Sequence, residues 1–180
     1  MMKFWLPFDQ YEPRYYIGGP EHLPMPGKVD HNARTADYLR ELHDRYFREM
    51  DELVTNLNKK LGQPVVYVVP VGQAVIALRE KIAAGQAPGL KAQANLFSDA
   101  LGHPNPPLTI LMGYCHYAVI YRESPVGLPV PSKLQRPGAD DQQTATLNRL
   151  LQELAWDAVI HHPLSGVHPG AAVAPPVIVP

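Results

Sequence analysis

The sequence predicts an α/β domain with three layers, α/β/α, in which helices cover a mostly parallel sheet. Residues 65–69 form a continuous β-branched and aromatic run that is too short for a helix and typical of a strand buried on both faces. Pro70-Val71-Gly72 stops this run, and residues 73–84 then take a helical period. Strand, turn and helix in this order make a βα unit, and amphipathic helices flank it along the chain.

Three longer helices are predicted from apolar residues that recur at spacings of three and four. The first begins at Asp30 or Asn32, either of which can cap it, and ends at Gly62. His31 and His43, near its start and within it, are expected to be exposed or capping. The second begins at Pro106 or Thr109 and runs to about Arg122. The third covers about 141–160, with Asp140 or Asp141 able to cap it. These helices need a sheet to cover if the α/β prediction is right.

The predicted sheet is short of strands. Only 65–69 is a strong candidate, and residues 3–6 and 96–97 are weaker ones. A sheet of this class usually has about four to six strands. The missing strands would come from a segment outside this chain, from a second copy in a homo-oligomer, or the helices would pack around an incomplete sheet.

Composition limits the classes of partner. With 180 residues, one α/β domain is expected over 1–166, with an irregular aromatic segment at 1–27 and a proline-rich extended tail at 167–180. A net charge of -1 gives no attraction to nucleic acid or to an anionic membrane, so neither is expected as a partner. The lone Cys115 is predicted to be a buried core thiol. No signal peptide or membrane span is recognisable, so a soluble chain is expected, and the compartment is not indicated.

Asp99 and His103 are the candidate catalytic residues. They follow a short apolar segment and precede a helix, and at the rim of a parallel sheet they would form the orienting half of a nucleophilic triad. The nucleophile is not identified, because no serine follows the sharp strand-to-helix turn of a nucleophile elbow. The serines are Ser98, Ser124, Ser132 and Ser165.

Two stretches resemble a known family. One stretch resembles the last catalytic block of SGNH/GDSL-type hydrolases: LFSDALGHPNPPLTILMGYCHYAVIYRESPVGLP. A second, upstream stretch is similar to the turn that precedes this block in carbohydrate-associated members: VVYVVPVGQAVIALREKI. The family spaces its pair Asp-x-x-His, whereas Gly102 adds one residue here, and the family's serine and oxyanion blocks are not found upstream of Val65. The resemblance implies a flavodoxin-like fold and cofactor-free hydrolysis of a small-molecule or carbohydrate ester, such as an acetylated sugar. It makes His103 the base and Asp99 its orienting partner, with weak or no turnover expected from a chain without the other blocks.

Two alternatives stay open from the sequence. A non-catalytic module would hold glycan or a partner with the aromatic N-terminal loop, which carries the candidate binding residues Tyr15 and Tyr16. Gln73 is a third candidate binding residue, because it follows the carboxyl end of the predicted strand at 65–69, where ligands of open α/β sheets bind. A metal-dependent enzyme would instead use His103 with three late histidines and the acid Asp157, although their spacing matches no zinc signature and no metal ligand set is assigned. The late histidines, whose role is left unassigned, are His161, His162 and His168.

Overall fold

The computed structural model describes residues 2–3, 30–99, 102–135, 138 and 140–168, with side chains described from residue 30 onward. Four α-helices dominate this part of the chain: α1 Ala36–Leu61, α2 Val71–Ala83, α3 Pro106–Tyr121 and α4 Asp141–His161. Short 3-10 helices lie at His31–Ala33, Gln93–Leu96 and Ser132–Leu134. Two short strands, β1 Met2–Lys3 and β2 Val68–Val69, pair in parallel.

The predicted three-layer, flavodoxin-like α/β/α fold is wrong. Within the described residues, strand pairing is limited to β1 with β2 and to an isolated bridge between Phe97 and Pro104. The backbone N–H and C=O groups that a longer strand would pair with a neighbouring strand form hydrogen bonds with a side chain instead. The Asn58 side chain accepts hydrogen bonds from Val65 N and Val66 N at 3.0 and 2.9 Å and donates to Val66 O at 2.9 Å. The run at 65–69 is therefore mostly a connection to α2, and only its end is a strand.

The main core lies between α2, α3 and α4, which pack on one another rather than on a sheet. Leu78, Leu111 and Leu151, one from each helix, are fully buried there. Cys115 lies in the same core, as predicted, and its burial raises the pKa of the thiol to about 12. None of the described helices has the length and apolar character needed to cross a bilayer.

Helix α1 begins later than predicted. Its N-cap is Thr35, whose hydroxyl accepts a hydrogen bond from Tyr38 N at 3.1 Å, whereas Asp30 caps the 3-10 turn that precedes it. Gly62 ends the helix in the left-handed conformation (φ 70°), as predicted. The prediction that His43 is exposed or capping is wrong, because its side chain is buried among the other buried residues of α1, such as Leu39 and Tyr46.

The later helices match their predicted limits closely. Helix α3 begins at Pro106, and Pro107 also lies in its first turn. Helix α4 begins at Asp141, and Asp140 caps it by accepting from the backbone N–H groups of Gln142 and Gln143. Together with α2, these helices place the 97–104 loop at the surface just before α3.

Candidate acid–base site

Asp99 and His103 form a hydrogen-bonded pair. Asp99 Oδ2 lies 2.5 Å from His103 Nδ1, and Asp99 Oδ1 accepts the backbone N–H of His103 at 3.2 Å. Both carboxylate oxygens therefore contact His103. The spacing of four residues, one more than in SGNH/GDSL-type hydrolases, does not keep the side chains apart. Gly102 has φ 88°, a left-handed conformation that suits glycine, and its N–H donates to Asp99 O at 3.2 Å.

The pair lies on a loop whose two ends are tied together. Phe97 and Pro104 form an antiparallel bridge, and Ser98 N donates to His103 O at 2.8 Å. At the base of the loop, Asn105 donates from its side chain to Phe97 O at 2.8 Å and from its backbone to Leu96 O at 2.8 Å. These hydrogen bonds fix the backbone positions from which the side chains of Asp99 and His103 project.

Arg79 supports this loop from inside the protein. Its guanidinium is fully buried, donates from Nε to Gln93 Oε1 at 2.6 Å, and donates from Nη2 to His31 O at 2.8 Å. His31 stacks on Phe97 with ring centroids 4.2 Å apart, and its Nε2 lies 3.3 Å from Asp99 O. A chain of contacts thus runs from α2 to the backbone of Asp99.

Sequence reasoning missed this support. His31 was expected to be exposed or capping, and it is buried. The one available signal was Arg79 itself, a charged residue between apolar neighbours at helical spacing, Val75 and Ile82. A buried arginine in such a position requires hydrogen-bond acceptors from elsewhere in the fold.

The geometry gives His103 one engaged and one available ring nitrogen. When Nδ1 donates to Asp99, the neutral ring has no proton on Nε2, which can then accept one. Nε2 makes no hydrogen bond with any residue that the structure describes. The side chain of His103 is 67% exposed and that of Asp99 is 42% exposed, so water and a small substrate can reach the ring.

No hydroxyl or thiol of the described residues forms a hydrogen bond with the His103 ring. Ser98 Oγ donates to the backbone oxygen of His103 at 3.1 Å, not to its ring. Ser165 is buried and exchanges hydrogen bonds with the backbone of Val167, while Ser124 accepts from Val126 N. Cys115 is buried in the helical core.

The three late histidines lie in different environments. His161 lies on the last turn of α4, 3.1 Å from Asp157 Oδ1 and 2.9 Å from Asp157 O, in an exposed pair with the same four-residue spacing. His162 is buried and its Nε2 lies 3.5 Å from Asp51 on α1. His168 is exposed. Within the described residues, no three His, Cys, Asp or Glu side chains come close enough to hold a metal ion together.

The predicted binding residues do not join the pair. Gln73 lies in the first turn of α2 and lines a groove of about 330 Å³ with Arg40 and Phe47 of α1, and neither Asp99 nor His103 lines that groove. Its Oε1 is buried there and has no hydrogen-bond partner among the described residues. Tyr15 and Tyr16 lie outside the described residues.

Comparisons of the chain with protein-family models, with curated proteins and with solved structures found no match. The resemblance to SGNH/GDSL-type hydrolases therefore stays a prediction that depends on residues 65–130 of this sequence.

Proposed function

We propose that this chain carries the acid–base half of an ester-hydrolase site, in which Asp99 orients His103 and His103 moves the proton. The single observation that supports the proposal most is the 2.5 Å contact between Asp99 Oδ2 and His103 Nδ1. The resemblance of the surrounding block to SGNH/GDSL-type hydrolases supports the same two roles. The proposal concerns the pair and its chemistry, not a flavodoxin-like fold.

In the proposed reaction, His103 Nε2 takes the proton of a hydroxyl that attacks the ester carbonyl. The protonated ring then returns this proton to the departing alcohol. Asp99 holds the ring in the tautomer that makes the first step possible and stabilises the imidazolium that forms between the two steps. The substrate class is an acyl ester, and acetylated carbohydrate is the form that the resemblance favours.

The attacking hydroxyl is water, or a side chain outside the described residues. Hydrogen bonds of Ser98, Ser124 and Ser165 to the backbone support this choice, because each engages the hydroxyl away from the His103 ring. Water attack without a prepared oxyanion hole is slow, so we expect weak turnover. The diagnostic quantity is therefore the ratio of rates between variants rather than the absolute rate.

The experiment measures hydrolysis of an aryl acetate by the purified chain and its variants. His103→Ala should lower the rate by about 100-fold, at the lower end of what a positioned general base contributes. Asp99→Asn should lower it as well, because the amide no longer fixes the tautomer of the ring.

The chain contains a matched control. Asp157 and His161 have the same spacing, and the His161 side chain is 68% exposed, close to the 67% of His103. His161→Ala and Asp157→Asn should leave the rate unchanged. If His103→Ala and His161→Ala hydrolyse the ester equally fast, the surface imidazoles act only as dissolved imidazole would, and the proposal is wrong.

A further inference from the structure

A second candidate site lies away from the Asp99–His103 loop, in a cleft of about 260 Å³ between the end of α1, the end of α3 and the loop after α4. We call it the Arg122 cleft. Much of its lining is apolar or aromatic, from Pro64, Val66, Tyr67, Pro163 and Leu164. Arg122 and His168 also line it, and none of its described lining residues is acidic. The cleft therefore combines an apolar wall with a cationic group.

Within the described part of the chain, no carboxylate forms an ion pair with Arg122. Its Nη2 lies 3.4 Å from the Tyr67 hydroxyl oxygen, and its guanidinium carbon lies 5.5 Å from the centre of the Tyr67 ring. The neighbouring Glu123 accepts a hydrogen bond from the Tyr117 hydroxyl at 3.2 Å and forms no ion pair with Arg122. Most of the donors of the guanidinium fork are thus left for solvent or a ligand.

Most other surface arginines of the described chain differ from Arg122, although Arg34, which lies over the Tyr38 ring, makes no ion pair to a described carboxylate either. Four surface arginines each contact a carboxylate at 2.6–2.9 Å: Arg40, Arg45, Arg48 and Arg149. Arg122 is half-buried and makes no such contact. A partly desolvated guanidinium over an aromatic ring is a favourable receptor for a planar carboxylate, which it can bind through two parallel hydrogen bonds.

The frame around Arg122 is fixed before any ligand binds. Arg122 itself has φ 56°, and it is the one non-glycine residue of the described chain with a positive φ. Tyr67 is held by its hydroxyl, which donates to Pro64 O at 2.7 Å, and by close contact with the backbone of Gly166. Asn58 holds the backbone of the preceding residues through three hydrogen bonds. Such preorganisation lowers the ordering cost of binding.

We propose that the Arg122 cleft binds a small organic carboxylate with an apolar body. The carboxylate lies on the Arg122 guanidinium beside the Tyr67 ring, and the apolar body packs against Val66 and Leu164. This site is independent of the ester-hydrolase proposal, since none of its residues belongs to the 97–104 loop.

The test is a titration of the full chain with 3-phenylpropionate, followed by amide chemical shifts in NMR spectra. The neutral isostere 3-phenylpropionamide is titrated in parallel. The carboxylate should bind saturably, with the largest shifts at Tyr67 and Leu164, and the amide should bind at least about 10-fold more weakly because it loses the charge-assisted hydrogen bonds. Equal affinity of the two compounds, or no saturable binding of the carboxylate, would overturn the proposal.

Variants then identify the receptor group. Arg122→Gln should weaken carboxylate binding by about 10-fold or more, and Arg122→Lys should weaken it less, because it keeps the charge but loses the fork. Arg149→Gln is the matched control on an exposed, ion-paired arginine and should change nothing. If Arg122→Gln does not fold, Arg122→Lys decides alone: affinity equal to that of the wild type would refute the role of the guanidinium fork.

Discussion

Gly166→Ala is expected to be one of the most destabilising single-methyl substitutions in this protein. A Cβ built on Gly166 would lie 2.4 Å from Tyr67 Cε1 and 2.5 Å from Cδ1, far inside van der Waals contact. The ring cannot move away freely, because its hydroxyl donates to Pro64 O and its face lies under Arg122. Either the ring or the backbone of the loop after α4 has to shift.

The magnitude follows from two terms. Overpacking of this kind typically costs about 1–3 kcal/mol. An L-residue in the left-handed region adds about 1–2 kcal/mol, since Gly166 has φ 73°. The free energy of unfolding should therefore fall by about 2–5 kcal/mol. Equilibrium urea denaturation measures it, with an unchanged slope as the sign that the folded and unfolded states keep their exposed areas.

Gly62→Ala is the matched control. Gly62 has φ 70°, close to the 73° of Gly166, and no atom of the described residues lies within 4 Å of its built Cβ. It should lose only the conformational term, and the change in unfolded-chain entropy is the same in both variants. Equal losses for Gly166→Ala and Gly62→Ala would refute the contact with Tyr67. A Tyr67→Ala background provides a second check, because there the additional loss of Gly166→Ala should disappear.

Three further predictions concern stability. Burial raises the pKa of Asp51 to about 6 and lowers the pKa of His162 to about 4, from ordinary values of 3.8 and 6.5. The raised pKa of Asp51 stabilises the folded state in acid, and this contribution is lost as the pH rises through 6. The lowered pKa of His162 stabilises the folded state above pH 6.5, and this contribution is lost as the pH falls through 4. In the wild-type protein the two effects nearly cancel. In His162→Gln the urea concentration at the unfolding midpoint should therefore decrease as the pH is raised from 4 to 6. In Asp51→Asn it should increase over the same interval. Midpoints that change in the same direction in both variants would contradict the opposed pKa shifts. Arg79→Met should lower the free energy of unfolding by about 2–4 kcal/mol, because it leaves buried acceptors such as Gln93 Oε1 without their donor. A loss in urea denaturation of well under about 1 kcal/mol would contradict this role of Arg79. Thr35→Ala should cost about 1 kcal/mol through loss of the α1 cap, measured in the same way, and an unchanged midpoint would show that the cap contributes nothing.

The helices were predictable from the sequence because their signals are local. Apolar residues at helical spacing and residues such as Gly62 and Asp140 mark the course and the ends of α1, α3 and α4 within a few positions. The start of α1 was misplaced because Asp30 and Thr35 are both good caps, and the sequence does not say that a 3-10 turn separates them.

The sheet was not predictable for a physical reason. A short apolar run has no period of its own that distinguishes a strand from a buried connection. Whether such a run becomes a strand depends on which groups its backbone N–H and C=O groups form hydrogen bonds with. Asn58, on the preceding helix, pairs with the backbone of Val65 and Val66, and Val68 N donates to Leu164 O at 2.9 Å. The first partner is a side chain and the second lies far away in the sequence, and the apolar run predicts neither.

The candidate site divides in the same way. The Asp99–His103 pair was predictable because four residues separate its members, and the structure places them in contact. The support from His31 and Arg79 was not, since it depends on contacts across 68 and 48 residues. Gln73 was predicted to lie at the rim of a larger sheet, but within the described residues the sheet is only the short β1–β2 pair, and Gln73 lines the groove against α1.

The most direct test of the acid–base assignment is the tautomer of the His103 ring, read from its ¹⁵N chemical shifts at a pH at which the ring is neutral. Wild-type protein should carry the proton on Nδ1, where Asp99 accepts it, and leave Nε2 bare. Asp99→Ala should lose this preference, and Asp157→Ala should not change it. A wild-type ring protonated on Nε2 would contradict the assignment, because the nitrogen that faces solvent could then not act as the base.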